Sequence, residues 1–187
     1  MRKSESDYDE LIKRQSALAR AFRRDQFPIA SQKDTKPVIE DVIGLFLEGD
    51  TLKIAMDFIA FLRENDMNLR WHSANNWDVT GKKAKGINIV LGGTKRAWHS
   101  HLAIGDWQIG VSGLENKSLD ELNFCDEMKA FVWDNVKPCE RCCSCGPRRR
   151  TYAGKQFDES CGLNIKNPDA KGLEMTQKLI LARRRLV

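Results

Sequence analysis

No apolar run in this sequence approaches the ~20 residues that a membrane-spanning helix needs. The longest candidate, Ile54–Leu62, is interrupted by the charge of Asp57. Signatures of several enzyme classes are missing too. No GK[ST] follows Gly81 or the Gly92-Gly93 pair, so neither builds a phosphate-binding loop. Lys155 follows Gly154 without the preceding glycine spacing, and no nucleophile elbow, zinc-protease helix or kinase signature occurs. Internal repeats and long low-complexity stretches are absent. The N-terminus, Met1 to Glu10, is polar and acidic rather than apolar, which predicts no signal peptide and a cytoplasmic location without a membrane partner. Thiols stay reduced in that compartment, so clustered cysteines there point to metal or redox chemistry.

What is present is ordinary globular material. The 187 residues suit one domain with appendages, and 41% hydrophobic with 30% charged residues predicts a real core. The net charge of +5 is unevenly spread. Residues 1–36 carry 9 basic and 6 acidic groups, residues 37–136 carry 10 and 15, and residues 137–187 carry 12 and 5. A basic tail fits an anionic partner, or balances thiolates at a metal site.

Periodicity predicts the order of elements. An amphipathic helix spans Asp7–Arg24, and residues 25–36 read as a linker, so 1–36 form an arm ahead of a domain at 37–187. Val38–Phe46 and Leu52–Glu64 read as a helix pair, the second with Ala55, Phe58, Ile59 and Leu62 on one face. Alternation at Trp77–Val79, Ile87–Leu91, Trp98–Ile104 and Trp107–Val111 predicts an antiparallel meander of three to five strands. Ser118 and Glu121 fit a capping box for a helix carrying Leu122, Cys125, Met128, Val132 and Val136 and ending before Pro138. Asn167-Pro168-Asp169 starts a last helix, closed by Arg183–Arg185. Consecutive strands make the class α+β: an antiparallel meander packed by helices, with a cysteine-rich metal-binding loop ahead of the C-terminal helix.

That loop is the most specific feature. Cys139, Cys142, Cys143 and Cys145 are followed by Cys161. Cys139/Cys142 and Cys142/Cys145 each have the two-residue gap that lets a tight turn aim both sulfurs at one ion, and a distant cysteine closes a tetrahedral shell. The expected ligands are Cys139, Cys142, Cys145 and Cys161 within a module at 137–166. Cys143 is spare, because adjacent cysteines rarely face one metal; the choice between Cys142 and Cys143 is open. Zinc is the expected ion and an iron–sulfur cluster the alternative. A closed four-cysteine shell is structural, with no position for a catalytic water. Free thiols in a loop, or a redox pair, are the competing readings.

The run from Gly154 through Lys155 and Phe157 to Cys161, followed by Asn167-Pro168-Asp169 and a terminal helix, resembles an uncharacterised family of small bacterial proteins over residues 50–187. The resemblance implies a helix and a tryptophan-containing sheet ahead of one cysteine-rich module. It implies no activity.

Other constellations are less specific. His99 and His101 share a strand face, and their imidazoles face a ligand, hold a second metal, or lie solvated on the open side of the sheet. Trp77, Trp98 and Trp107 line a ligand pocket or pack the core, and alternation favours the core. The arm, Arg148–Arg150 and Arg183–Arg185 fit nucleic acid or solvated charge. The leading expectation is a non-enzymatic, zinc-stabilised domain binding a small molecule or protein partner through Trp77, Trp98, His99, His101 and Trp107. The alternatives are a nucleic-acid-associated regulator and an enzyme with His99 and His101 in its site.

Overall fold

The computed structural model of the chain describes residues 29–92, 102–103, 105–114, 124–139 and 149–186. The expected helix over Asp7–Arg24 and the capping box at Ser118–Glu121 lie outside these residues.

The chain is α+β, as the consecutive alternating segments predict. Helix α1 (Ile29–Thr35) falls in the stretch read as a linker. Its Gln32 is buried and donates from Nε2 to Asn75 Oδ1 at 2.6 Å, while its Oε1 accepts from the Asn75 backbone N–H at 3.0 Å. These bonds tie α1 to a tight turn 43 residues away, a tertiary contact that local composition does not reveal. Helix α2 (Ile39–Val42) runs into a 3₁₀ turn at Ile43–Leu45, and α3 (Gly49–Glu64) follows. On α3, Leu52, Ala55, Met56, Phe58, Ile59 and Leu62 form the buried stripe, with Asp50 in the first turn and Arg63 in the last complementing the helix dipole. Burying one such side chain contributes roughly 1.5–3 kcal/mol.

The meander comprises β1 (Asn68–Ser73), β2 (Asn76–Thr80), β3 (Ile87–Leu91) and β4 (Trp107–Val111), each antiparallel to the next. Leu102 and Ala103, in the expected Trp98–Ile104 strand, belong to no strand, and Trp98 to His101 lie outside the described residues. Helix α4 (Asp126–Asp134) is shorter than its sequence pattern. Cys125 is its exposed N-cap, and Asn135 closes it with Nδ2 donating to Phe131 O at 2.8 Å. Val136 leaves the helix because it pairs with Leu163, so Val136–Pro138 becomes β5.

A small hairpin, β6 (Arg150–Tyr152) and β7 (Lys155–Phe157), precedes β8 (Ser160–Lys166). Strand β8 inserts between β4 and β5, giving the order β1-β2-β3-β4-β8-β5. The hairpin is fixed to α4: Trp133 Nε1 donates to Tyr152 O at 2.8 Å, and the Lys155 ammonium lies 5.3 Å from the Trp133 ring and 5.2 Å from that of Phe157. Helix α5 (Ala170–Leu186) packs on α3 and α4. Its cap is Asp169, whose Oδ1 accepts from Gly172 N–H at 2.7 Å; Asn167, at φ +42°, ends the strand instead.

The core lies on one face of the sheet. Trp77, Ile89, Ile109 and Ile165 are in register across β2, β3, β4 and β8, all buried, and Phe58 of α3 sits 6.3 Å from Trp107 ring to ring.

Candidate functional site

Strand alternation that sends the tryptophans and isoleucines to the core sends a different set to the opposite face. Arg70, Asp78, Asn88, Gly110 and Asn164 are in register across β1, β2, β3, β4 and β8. Beside them run Asn76, Val90, Gln108 and Lys166. Carboxamides from these two rows bond to each other: Asn88 Nδ2 donates to Asn76 Oδ1 at 3.0 Å, and Asn164 Nδ2 to Gln108 Oε1 at 2.8 Å. Glycine at 110 makes room for this arrangement, because a Cβ there would meet Asn88 Oδ1 at 2.1 Å and push the carboxamide aside. At the β1 end, His72 Nδ1 lies 3.0 Å from Asp78 Oδ2. Asn76, Val90 and Gln108 are buried, whereas Asp78, Asn88 and Asn164 are half-buried and Arg70 and His72 exposed. The first row is therefore the reachable one. Side-chain amides both donate and accept, so this surface suits a polar, hydrogen-bonding ligand better than an apolar one.

The cysteine region begins and ends on one strand pair. Pro138 pairs with Ser160, and Cys139 N–H donates to Glu159 O, so Cys139 and Cys161 stand near each other across β5 and β8. The register shifts between Val136 and Pro138, which leaves Cys161 and Gly162 together opposite Lys137. This is a bulge, and Gly162 takes φ +123° within it. Cys139 is buried. Ser160 is buried as well, and its hydroxyl has no hydrogen-bond partner among the described residues. Cys142, Cys143 and Cys145 lie outside the described residues, among which no group of three or more histidine, cysteine or acidic side chains is placed to hold a metal ion.

Of the other predicted residues, Trp77 and Trp107 are fully buried on the core face, away from the carboxamide rows. Trp77 Nε1 donates to Pro37 O at 2.8 Å. His99 and Trp98 lie outside the described residues, as does His101. The amide rows escape motif reasoning, yet they carry a signal: Asn76, Asp78, Asn88, Gln108 and Asn164 each occupy the polar phase of an alternating strand.

At the edge of this face, Asp106 joins β4 to the end of β8. It accepts from Lys166 Nζ at 2.9 Å, Asn167 Nδ2 at 2.7 Å and Ala103 N–H at 2.9 Å, while Asn167 Oδ1 accepts from Trp107 N–H at 2.7 Å. Burial pushes the Asp106 carboxyl up, but the bonds from Lys166, Asn167 and Ala103 together outweigh it and hold the carboxyl below its ordinary value. A lowered folded-state value means that the ionised form stabilises the fold above the unfolded value of about 3.9, and that this contribution is lost as pH falls through the folded value. Acid titration of unfolding should show the wild type losing this increment below about pH 4. Asp106→Asn should be less stable at neutral pH and flatter across the acid range.

No protein-family model matches the chain, and no curated protein or solved structure matches it either.

Proposed function

We propose that this chain is a non-enzymatic, metal-stabilised binding domain that takes a polar small molecule, or the polar surface of a protein partner, on the carboxamide face of its sheet. The observation that carries this reading is the row of Arg70, Asp78, Asn88 and Asn164, half-buried or exposed and polar on every strand but β4, where Gly110 contributes no side chain. Such a row offers paired donors and acceptors at strand spacing, about 4.8 Å, and suits hydroxyl- or amide-rich ligands.

Within the same reading, Cys139, Cys142, Cys145 and Cys161 hold one structural zinc. Supporting this are the convergence of the outer two cysteines on one strand pair and the bulge at Cys161. The buried Ser160 hydroxyl is a further support, since a thiolate centre at that strand end would accept a hydrogen bond from it. Zinc there would fasten β5 and β8 and would supply no catalytic position.

The binding reading is tested by thermal shift and amide NMR on the reduced full chain, against a panel of sugars, nucleosides and amino acids. At least one class should raise the unfolding temperature and shift the side-chain amide signals of Asn88 and Asn164, and Asn164→Ala should remove both effects. If no class shifts these signals, or if Asn164→Ala leaves ligand binding intact, the face is not the site.

A further inference from the structure

Two basic segments that are remote in sequence share one surface. Arg183, near the end of α5, is buried and donates from Nη1 to Lys83 O at 3.4 Å and from Nη2 to Lys85 O. It thereby holds the turn Gly81–Gly86 against the helix end. Arg184 Nη1 donates to Asn65 O at 2.9 Å. Lys82, Lys83 and Lys85 of this turn are exposed, as is Arg185 two residues beyond the clamp at the adjoining helix end.

Three features describe this corner. None of its four cations has a carboxylate partner among the described residues, as is also true of the scattered Lys33, Lys36, Lys53 and Arg70, but here three of them share one six-residue turn. The turn that carries the lysines is fixed by a buried guanidinium rather than left to move. Lys83 also adopts φ +64°, a left-handed conformation that glycine would take at lower cost.

We infer that this corner is a docking surface for the phosphate backbone of duplex nucleic acid. Ammonium and guanidinium groups without carboxylate partners gain most from phosphates, where each contact releases a condensed counterion. Single strands need aromatic stacking platforms, and no exposed large aromatic occurs among the described residues. A membrane surface takes an apolar signal beside the basic one, and Leu181 is the sole exposed large hydrophobic on α5 among the described residues. Glu64 and Asp66 border the corner, so the footprint is confined to the lysine turn and Arg185.

The test uses the full reduced chain with labelled 20-base-pair DNA and RNA duplexes, read by fluorescence anisotropy from 25 to 200 mM KCl. Binding should weaken with salt at a log–log slope of about −4 for roughly four phosphates. A Lys82→Gln/Lys85→Gln/Arg185→Gln variant leaves Arg183 and the left-handed Lys83 in place and should unfold at the wild-type urea midpoint. Its slope should be smaller by about three, and its affinity at 50 mM salt at least tenfold lower. Absence of duplex binding at 25 mM salt overturns the inference. So does an unchanged slope in the variant, which assigns binding to another surface, or binding of the chain to phosphatidylserine vesicles in a parallel sedimentation assay with no duplex binding at all.

Discussion

Arg183→Met should lower the unfolding free energy by about 2–3 kcal/mol, the value of hydrogen bonds from a charged donor to groups that are otherwise left unpaired. The side chain is 6% exposed and spans two carbonyls, Lys83 O and Lys85 O, about 100 residues away in sequence. Methionine fills much of the volume but donates nothing, so both carbonyls lose a partner in a part-buried contact. Lysine is no substitute, because a single ammonium does not reproduce the planar fork that spans the two oxygens. Arg183→Lys should therefore recover less than half of the loss. Urea unfolding read by tryptophan fluorescence checks this: the midpoint falls while the slope stays constant. A loss below about 0.5 kcal/mol, the level of an ordinary surface substitution, would contradict the clamp.

Gly92→Ala should cost about 3 kcal/mol or more, at the upper end for overpacking. A Cβ at this position would lie 1.9 Å from Ala103 O and 3.0 Å from both Ala103 C and Asp106 O. These are backbone atoms and cannot swing aside as a side-chain tip can. Retreat of the strand end would also break the Gly92 N–H bond to Asp106 O at 2.8 Å and strain the Asn75 Nδ2 bond to Gly92 O at 3.3 Å. Through Asn75 the disturbance reaches Gln32 and α1. The measurement is again the urea midpoint, with amide exchange of Asn75 and Leu91 as the local reporter. An unchanged midpoint would mean that the approach of residues 92 and 103 is not needed.

Much of the fold was legible because alternation and helical period are local. Trp77/Val79, Ile87/Ile89 and Trp107/Ile109/Val111 announced the strands, and Phe58, Ile59 and Leu62 the stripe of α3. What escaped was decided at long range. Strand β8 begins inside the cysteine-rich segment, and Asn164 and Gly162 disguise it; its partner at Gln108 is more than 50 residues away. Val136 continues the helical pattern of α4 in sequence, yet pairing with Leu163 removes it from the helix. Arg183 reads as a solvated helix-end cation until the lysine turn is seen to close over it. The carboxamide face was written in the polar phase of the strands, but asparagine on an open sheet face carries no meaning until registry lines the residues up.

The proposed closed metal centre at the cysteines would fasten β5 to β8. Elemental analysis of the purified, reduced protein, repeated on Cys161→Ser, tests it most directly. About one zinc per wild-type chain is expected, with the metal lost and the fold destabilised in the variant. Iron with visible absorption would replace zinc by a cluster at the same cysteines. A folded, metal-free wild type would contradict the claim.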